Sequence, residues 1–434
     1  MSRFLLAIAF TFALAVPSSA APPNVVMILG DDQGWRDYGI MGHEHIKTPH
    51  LDKLASEGLL FQRGYVPSSL CRASLASMIT GLYPHQHKIT SNDPPLPKGL
   101  TGAAANKDPG FLKLRREMVG YIEKVPTLPR MLEKQGYVSF QAGKWWEGNA
   151  CRCGGFTEGM THGEPDKNGR HGDEGLTIGR EGMKPVLDFL DKAKADGKPF
   201  YVWYAPMMPH SPHNPPERLL AKYRNKTPSI HIARYWAMCE WFDETIGELL
   251  AKLDKNGQAT NTVVVYLHDN GWIQDPDSPN FAPKSKKSPY DGGLRTPIIV
   301  KWPGEVKPEV SDRLAMSTDL APTILAMCGV KPTAEMPGLN LLDFKALAAR
   351  TAIFGEVFEH NAVDVHNPSA NLQYRWIVEG HWKLILPHER NVPGGRRELY
   401  DLSKDPDEKD NLARKQPEKV ADLTQKLDRW WKPE

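Results

Sequence analysis

The feature that most constrains this chain is the repeated alternation of short apolar runs with helical segments. Runs rich in β-branched, aromatic and other apolar residues lie at 24–29, 137–141, 199–204, 262–267 and 297–301. Helical segments such as 232–253 lie between them. Strands that alternate with helices predict a mostly parallel sheet with helices on both faces, and ligands bind such sheets at the carboxyl ends of the strands.

The pattern changes after residue 345. Runs at 352–357, 373–378 and 382–386 are typical of antiparallel strands, and a final helix is predicted over 417–430. We therefore predict a large α/β domain over 21–345 and a smaller α+β subdomain over 346–434. Segments rich in Pro, Gly and polar residues at 91–125 and 149–173 are predicted to be long loops.

The first twenty residues have the pattern of a secretory signal peptide. Arg3 precedes an apolar run over 4–16, and small residues follow at 18–21. The run is too short to span a membrane, so we predict cleavage, no remaining membrane anchor and a secreted or periplasmic location. The net charge of +2, without a basic cluster interleaved with aromatics, argues against a nucleic-acid partner.

Oxygen ligands follow two of the predicted strands. Asp31 and Asp32 come directly after the strand at 24–29, and Asp269 and Asn270 follow the strand at 262–267. Carboxylate and amide oxygens suit Ca²⁺ or Mg²⁺. A pair of acids at one strand end is also compatible with simple helix capping, whereas two such pairs favour a shared cation.

A cysteine and several cations stand in comparable places. Cys71 precedes a helix predicted to begin near Ala73, where free amide groups favour an anion, although a buried structural thiol is the alternative. Lys144, His210 and Lys286 each occur in a segment that adjoins a predicted strand. Such residues can neutralise charge on a sulfate or phosphate and supply a proton to a departing alcohol.

Taken together, these segments resemble the formylglycine-dependent (type I) sulfatases of the alkaline-phosphatase superfamily. The resemblance covers nearly the whole mature chain in the family's order, through segments 28–35, 48–58, 71–81, 143–146, 208–213, 268–271, 285–297 and 398–402. It implies an alkaline-phosphatase-like α/β/α sandwich with a C-terminal α+β subdomain. It further implies a secreted hydrolase of sulfate esters, with a sulfated carbohydrate as its substrate.

The resemblance also implies residue roles. A divalent cation, Ca²⁺ rather than Mg²⁺, would be held by Asp31, Asp32, Cys71, Asp269 and Asn270. A formylglycine-generating enzyme would convert Cys71 to the aldehyde whose hydrate attacks sulfur. The sulfate and the leaving oxygen would be served by Lys144, His210 and Lys286.

Two positions depart from the family pattern. Leu75 stands where the cysteine motif has the Arg that the modifying enzyme reads, and Trp146 stands where a Lys-Trp-His motif has its His. Further candidates for substrate contact are Arg72, His87, Trp146 and His213. The departures keep two alternatives open: a phosphoesterase on the same scaffold that uses unmodified Cys71 or a metal-activated water, and a catalytically impaired protein that binds sulfated glycans.

Overall fold

The computed structural model describes residues 21–163 and 169–434, so the predicted signal peptide at 1–20 lies outside the described residues. Within the described residues the larger sheet has the strand order β4-β3-β5-β1-β6-β7-β2-β8. Its strands are β1 Asn24–Gly30, β2 Leu59–Tyr65, β3 Val138–Gly143, β4 Glu158–Gly159, β5 Phe200–Ala205, β6 Thr262–His268, β7 Arg295–Lys301 and β8 Glu309–Met316. The sequence pattern predicts five of these strands and misses β2, β4 and β8.

One strand runs against the others. β7 pairs antiparallel with both β6 and β2, whereas β1, β3, β4, β5 and β6 run parallel. The connection therefore runs from the carboxyl end of β6 to the adjacent amino end of β7, at one edge of the sheet, because antiparallel neighbours need no crossover. This edge carries Asp269 at the start of the connection and Lys286 within it.

Helices cover both faces of the sheet, as predicted. Their bounds are α1 Pro49–Ser56, α2 Cys71–Thr80, α3 Pro84–His87, α4 Gly102–Ala105, α5 Pro109–Val119, α6 Leu128–Glu133, α7 Lys184–Ala195, α8 Glu217–Tyr223, α9 Ile230–Lys255, α10 Asp291–Leu294, α11 Leu320–Met327, α12 Phe344–Ala349, α13 Pro368–Asn371 and α14 Pro417–Trp430. Met27 and Leu29 of β1 pack in the cluster that contains α2, and Val26 and Ile28 in the cluster that contains α9. The alternation of side chains along β1 thus supplies two cores.

The predicted loop over 91–125 is wrong, because it contains α4, α5 and a helical turn at Ile122–Lys124. Asp108 caps α5 by accepting a hydrogen bond from the Phe111 amide at 2.8 Å, and Pro109 occupies the first turn. The predicted loop over 149–173 likewise contains β4 and a helical turn at Ala150–Gly154.

A second sheet, antiparallel with the order β12-β11-β10-β9, is built from β9 Ala352–Phe358, β10 Leu372–Glu379, β11 Trp382–Pro387 and β12 Glu398–Asp401. One of its faces packs on α14, where Ile377 and Leu384 join Val420, Leu423 and Leu427 in a common core. The Glu356 amide donates to the Pro67 carbonyl at 2.8 Å, which joins β9 to the segment before α2. Across the described residues, the helices are too short or too polar to cross a bilayer.

Candidate active site

The register of the central strands brings the two acidic segments together. Gly30 of β1 pairs with His268 of β6, so the residues that follow both strands are neighbours. Ligand atoms of Asp31, Asp32, Cys71 and Asp269 all lie within 4.8 Å of one another. Asn270 completes the group, because its amide nitrogen donates to Asp32 Oδ1 at 2.7 Å.

Cys71 is the first residue of α2, which follows β2 at the same edge. The helix begins two residues earlier than predicted, and all of its residues are buried. The Cys71 thiol lies 3.2 Å from Asn270 Oδ1. Burial, with the charge of Asp269, raises the pKa of this thiol to about 12.

Lys144 follows β3, and Lys286 lies in the connection from β6 to β7, on the other side of β1 in the strand order. Lys144 Nζ lies 2.7 Å from Asp31 Oδ1, and Lys286 Nζ lies 2.6 and 2.7 Å from the two oxygens of Asp32. Burial opposes their charge, but the carboxylates outweigh it and raise the pKa of both ammonium groups. Burial would likewise raise the pKa of Asp32, yet Lys286, His210 and Lys144 hold it well below its ordinary value.

The backbone conformation of Gly143 determines the position of Lys144. The φ of Gly143 is +94°, and a Cβ there would stand 1.9 Å from the Ala205 carbonyl oxygen. Only glycine accommodates both constraints. The following amide, that of Lys144, donates to the same carbonyl at 2.6 Å, which directs the lysine across the end of the sheet.

The two predicted histidines after β5 differ in position. His210 Nδ1 donates to the Ser211 carbonyl at 2.6 Å, which leaves Nε2 to exchange a proton, and Nε2 lies 3.3 Å from Asp32 Oδ2. Burial lowers the pKa of His210, although Asp31 and Asp32 oppose the shift. His213 packs against Tyr235 and Trp272 instead, outside the lining of the cavity described below.

The acidic group fits a divalent cation. Asp269 is buried, burial and Asp31 raise its pKa well above the ordinary value, and its Oδ2 accepts no hydrogen bond from the described residues. Several carboxylates this close repel one another unless a positive charge lies between them. The oxygen-rich set matches the ligands that Ca²⁺ and Mg²⁺ prefer.

A cavity of about 210 Å³ opens over this group. Its lining includes Cys71, Lys144, Trp146, His210 and Lys286. It also includes side chains that the sequence analysis does not single out, namely Asn92, Arg170, His171, Lys287 and His360. His171 is tied to the Lys144 segment, since the Trp145 amide donates to its carbonyl at 3.1 Å and its ring lies 4.9 Å from that of Trp146.

Comparison with known proteins identifies the family of this chain. The family model named Sulfatase matches residues 23–330, and the model named "N-sulphoglucosamine sulphohydrolase, C-terminal" matches residues 284–432. The chain belongs to the sulfatase family of sulfuric ester hydrolases. The resemblance and the fold class inferred from the sequence are thereby confirmed.

Curated relatives and solved structures agree with this assignment. The sulfatase is 29% identical to human N-acetylgalactosamine-6-sulfatase over 361 residues, which cover 74% of this chain and 65% of the relative. It is 24% identical to an N-acetylgalactosamine-6-O-sulfatase of Bacteroides thetaiotaomicron, with 94% and 92% of the chains covered. The structure of Ps i-CgsB in complex with k-i-k-neocarrahexaose matches with a TM-score of 0.74 at 22% identity, over 95% and 94% of the chains.

The remaining candidate residues lie around the cavity of the sulfatase but not all within its lining. Arg72 is buried and donates to both oxygens of Glu147, from Nε at 2.7 Å and from Nη2 at 2.6 Å. His87 lies behind α2, where its Nε2 is 3.0 Å from Ser77 Oγ. Leu75 of α2 is buried in the apolar core. Of the four additional candidates, only Trp146 lines the cavity.

Proposed function

We propose that this sulfatase hydrolyses sulfate esters on a sulfated carbohydrate, with formylglycine formed from Cys71 at its centre. The observation that carries the proposal is the convergence of Asp31, Asp32, Cys71 and Asp269 within 4.8 Å beneath an open cavity. The curated relatives named above act, by their names, on N-acetylgalactosamine sulfated at position 6, which supports a sulfated amino sugar as the first substrate to test.

Charge and geometry suggest how the chain's own residues act. Lys144 and Lys286, both held charged by neighbouring carboxylates, bind the sulfate oxygens and offset the charge that grows on them in the transition state. His210 in its imidazolium form, which Asp31 and Asp32 favour and burial opposes, would deliver the Nε2 proton to the leaving alcohol oxygen. Asp31, Asp32, Asp269 and Asn270 would hold a Ca²⁺ ion, which when bound supplies Lewis-acid stabilisation of the sulfate group.

The position of Cys71 supports a modified residue, because its side chain lies within 4.8 Å of the ligand atoms of Asp31, Asp32 and Asp269 that would hold the cation. The formylglycine hydrate supplies a hydroxyl nucleophile at this position once the maturation enzyme has acted. Because Leu75 replaces the Arg of the motif, this maturation step is the part of the proposal that needs direct measurement.

We further propose export, based on the pattern at 1–20, and a subdomain boundary near residue 345. The antiparallel sheet and α14 share a core of their own, which supports the boundary. Export predicts a mature amino terminus close to residue 21, which N-terminal sequencing of the protein from its host would reveal.

The test of function uses protein co-expressed with a formylglycine-generating enzyme. Inorganic sulfate release is measured on a panel of sulfated oligosaccharides that includes units of N-acetylgalactosamine 6-sulfate, and phosphate release on matched phosphate esters. The mass of the tryptic peptide 64–72 reports thiol or aldehyde at residue 71. We expect aldehyde, sulfate release that a chelator stops and Ca²⁺ restores, and no release by Cys71→Ala.

Preferential phosphate release with a thiol at residue 71 would favour the phosphoesterase. Tight binding of the panel without any release would favour a glycan-binding protein. Either result would refute the proposed hydrolysis of sulfate esters.

A further inference from the structure

A second cavity of about 300 Å³ adjoins the one over Cys71. Arg170 and His360 line both cavities, so they form the junction between the two. The rest of the second cavity is lined by Asp93, Leu96, Gly102, Asn106, Phe111 and Asn361. Its size lies at the lower end of small-ligand sites, which run from roughly 300 to 1,000 Å³.

The junction residues are held in place by their neighbours. Arg170 donates to both oxygens of Asp93, from Nε at 2.7 Å, and its guanidinium carbon lies 4.4 Å from the centre of the Trp146 ring. His360 Nδ1 lies 2.8 Å from Asn361 Oδ1. Arg170 Nη1 and His360 Nε2 are therefore the polar atoms of the junction that make no hydrogen bond with Asp93 or Asn361.

The polar side chains around the second cavity are also held in place by hydrogen bonds. Asp93 is buried and receives Arg115 Nη2 at 3.5 Å in addition to Arg170, so its charge is compensated on two sides. The same Arg115 nitrogen donates to Asn106 Oδ1 at 2.8 Å. The amide nitrogen of Asn106 is thereby turned away from Arg115. Two guanidinium groups stand beside one carboxylate, so this group of side chains carries a small net positive charge.

Apolar surface completes the lining. Phe111 is buried at the start of α5, and Leu96 is 46% exposed at the rim. Amide and guanidinium donors next to an aromatic ring and an aliphatic side chain match a sugar, which offers hydroxyl groups at its edge and C–H groups on its faces. A purely ionic ligand would gain no binding energy from contact with Phe111 and Leu96.

The geometry points to a binding site for the sugar unit adjacent to the one that loses its sulfate, with Arg170 and His360 in contact with the linkage between the two units. The inference rests on the proposed function. It implies that the sulfatase prefers a sulfated oligosaccharide to the corresponding sulfated monosaccharide, because only the longer substrate fills the second cavity.

Gly102 provides a direct test, because a side chain can be added there without strain. A Cβ at Gly102 would meet no atom within 4 Å, and the residue faces the second cavity. The series Gly102→Ala and Gly102→Trp therefore fills the cavity in steps. Ala104→Trp is the matched control, since Ala104 is exposed on the same helix and does not line the described walls of either cavity.

The readout is the ratio of kcat/KM for the best oligosaccharide of the panel to kcat/KM for its sulfated monosaccharide. We expect Gly102→Trp to lower this ratio about tenfold or more, Gly102→Ala to lower it less, and Ala104→Trp to leave it unchanged. Melting temperatures of the variants verify that they fold.

Two failures are distinguishable. If the wild type and Gly102→Trp release sulfate with the same ratio, or if the monosaccharide is the better substrate of the wild type, the second binding site is refuted while the sulfatase activity stands. If the wild type releases no sulfate from any substrate, the proposed function itself has failed.

Discussion

Lys286 shows how a single residue decides the electrostatics of the cavity. Its ammonium group contacts both oxygens of Asp32 and is 8% exposed, so its charge acts with little screening by water. In the sequence this residue belongs to a Lys pair ahead of a Gly-rich turn, within a segment that resembles the sulfatases. The adjacent Lys287, in contrast, lies 5.8 Å from the ring of Phe281.

Replacement of Lys286 by Ala is expected to lower kcat for sulfate release by about 10²–10³-fold, because one preorganised positive group is lost from the transition state. The control Lys192→Ala breaks an exposed ion pair with Glu158 and should change neither kcat nor stability. Steady-state kinetics and melting curves of both variants check this. Turnover by a folded Lys286→Ala protein that equals the wild-type value would contradict the assigned role.

At the scale of elements, α2 is stabilised by contacts with α3, the short helix that follows it. His87 at the end of α3 is buried, with Nε2 3.0 Å from Ser77 Oγ and Nδ1 accepting the Ile89 amide at 3.1 Å. His87 therefore braces the helix that carries Cys71. Burial lowers the pKa of His87 to about 3, so it is neutral in the folded protein.

The lowered pKa of His87 predicts acid sensitivity. Below pH 6.5 the unfolded chain takes up a proton at His87 that the folded protein refuses until about pH 3, so the stability it contributes is lost as pH falls through this window. His87→Gln removes the titration, and its loss of stability between pH 6.5 and 4.5 should be smaller by about 2 kcal/mol. Urea unfolding at both pH values measures this. Identical losses in the two proteins would show that His87 does not titrate in this way.

The prediction of a loop over 91–125 failed because the composition of the segment obscured its helical periodicity. The segment 91–125 is rich in Pro, Gly and Lys, yet Phe111, Arg115 and Met118 fall on one face of α5 and are all buried. The guanidinium carbon of Arg115 lies 5.1 Å from the centre of the Phe111 ring, and its Nη2 lies 3.5 Å from Asp93 Oδ1. An N-terminal Asp-Pro pair was the available signal for this helix.

At the scale of the whole molecule, one buried lysine joins the small sheet to the segment that carries Lys286. Lys383 of β11 is fully buried and lies 2.8 Å from Asp291 Oδ1 and 2.9 Å from Glu408 Oε1. Asp291 opens α10, which follows the Lys286 segment, and it also accepts the Tyr65 hydroxyl at 2.9 Å. The C-terminal sheet thereby supports the segment that carries Lys286.

Lys383→Met should destabilise the protein by about 3–5 kcal/mol, because it leaves buried Glu408 without its cation and leaves Asp291 with Arg295, 3.7 Å away, as its remaining ion-pair partner. Lys404→Met is the control, since Lys404 is 84% exposed in its pair with Asp401 and should change stability by less than about 0.5 kcal/mol. Denaturant midpoints of the two variants provide the measurement. Equal midpoints would contradict a structural role for the buried pair.

The order of apolar runs along the chain was enough to predict the parallel sheet and to mark Asp31, Asp32, Lys144, His210, Asp269 and Asn270, which follow predicted strands, as candidates at their carboxyl ends. Cys71 and Lys286 were predicted from their own short motifs and from the resemblance to the sulfatases. A strand and the residue that follows it are neighbours in sequence, so this information is local. The roles of these residues remain predictions for the experiments above.

Only the tertiary structure decided which distant side chains meet. Arg72 pairs with Glu147, which lies 75 residues away, and Arg170 pairs with Asp93 across 77 residues. No local pattern specifies such partners, because they depend on how loops pack after the sheet has formed. The same packing brings Arg170, His171 and His360 into the walls of the cavity, and it turns Arg72 and His87 away from them.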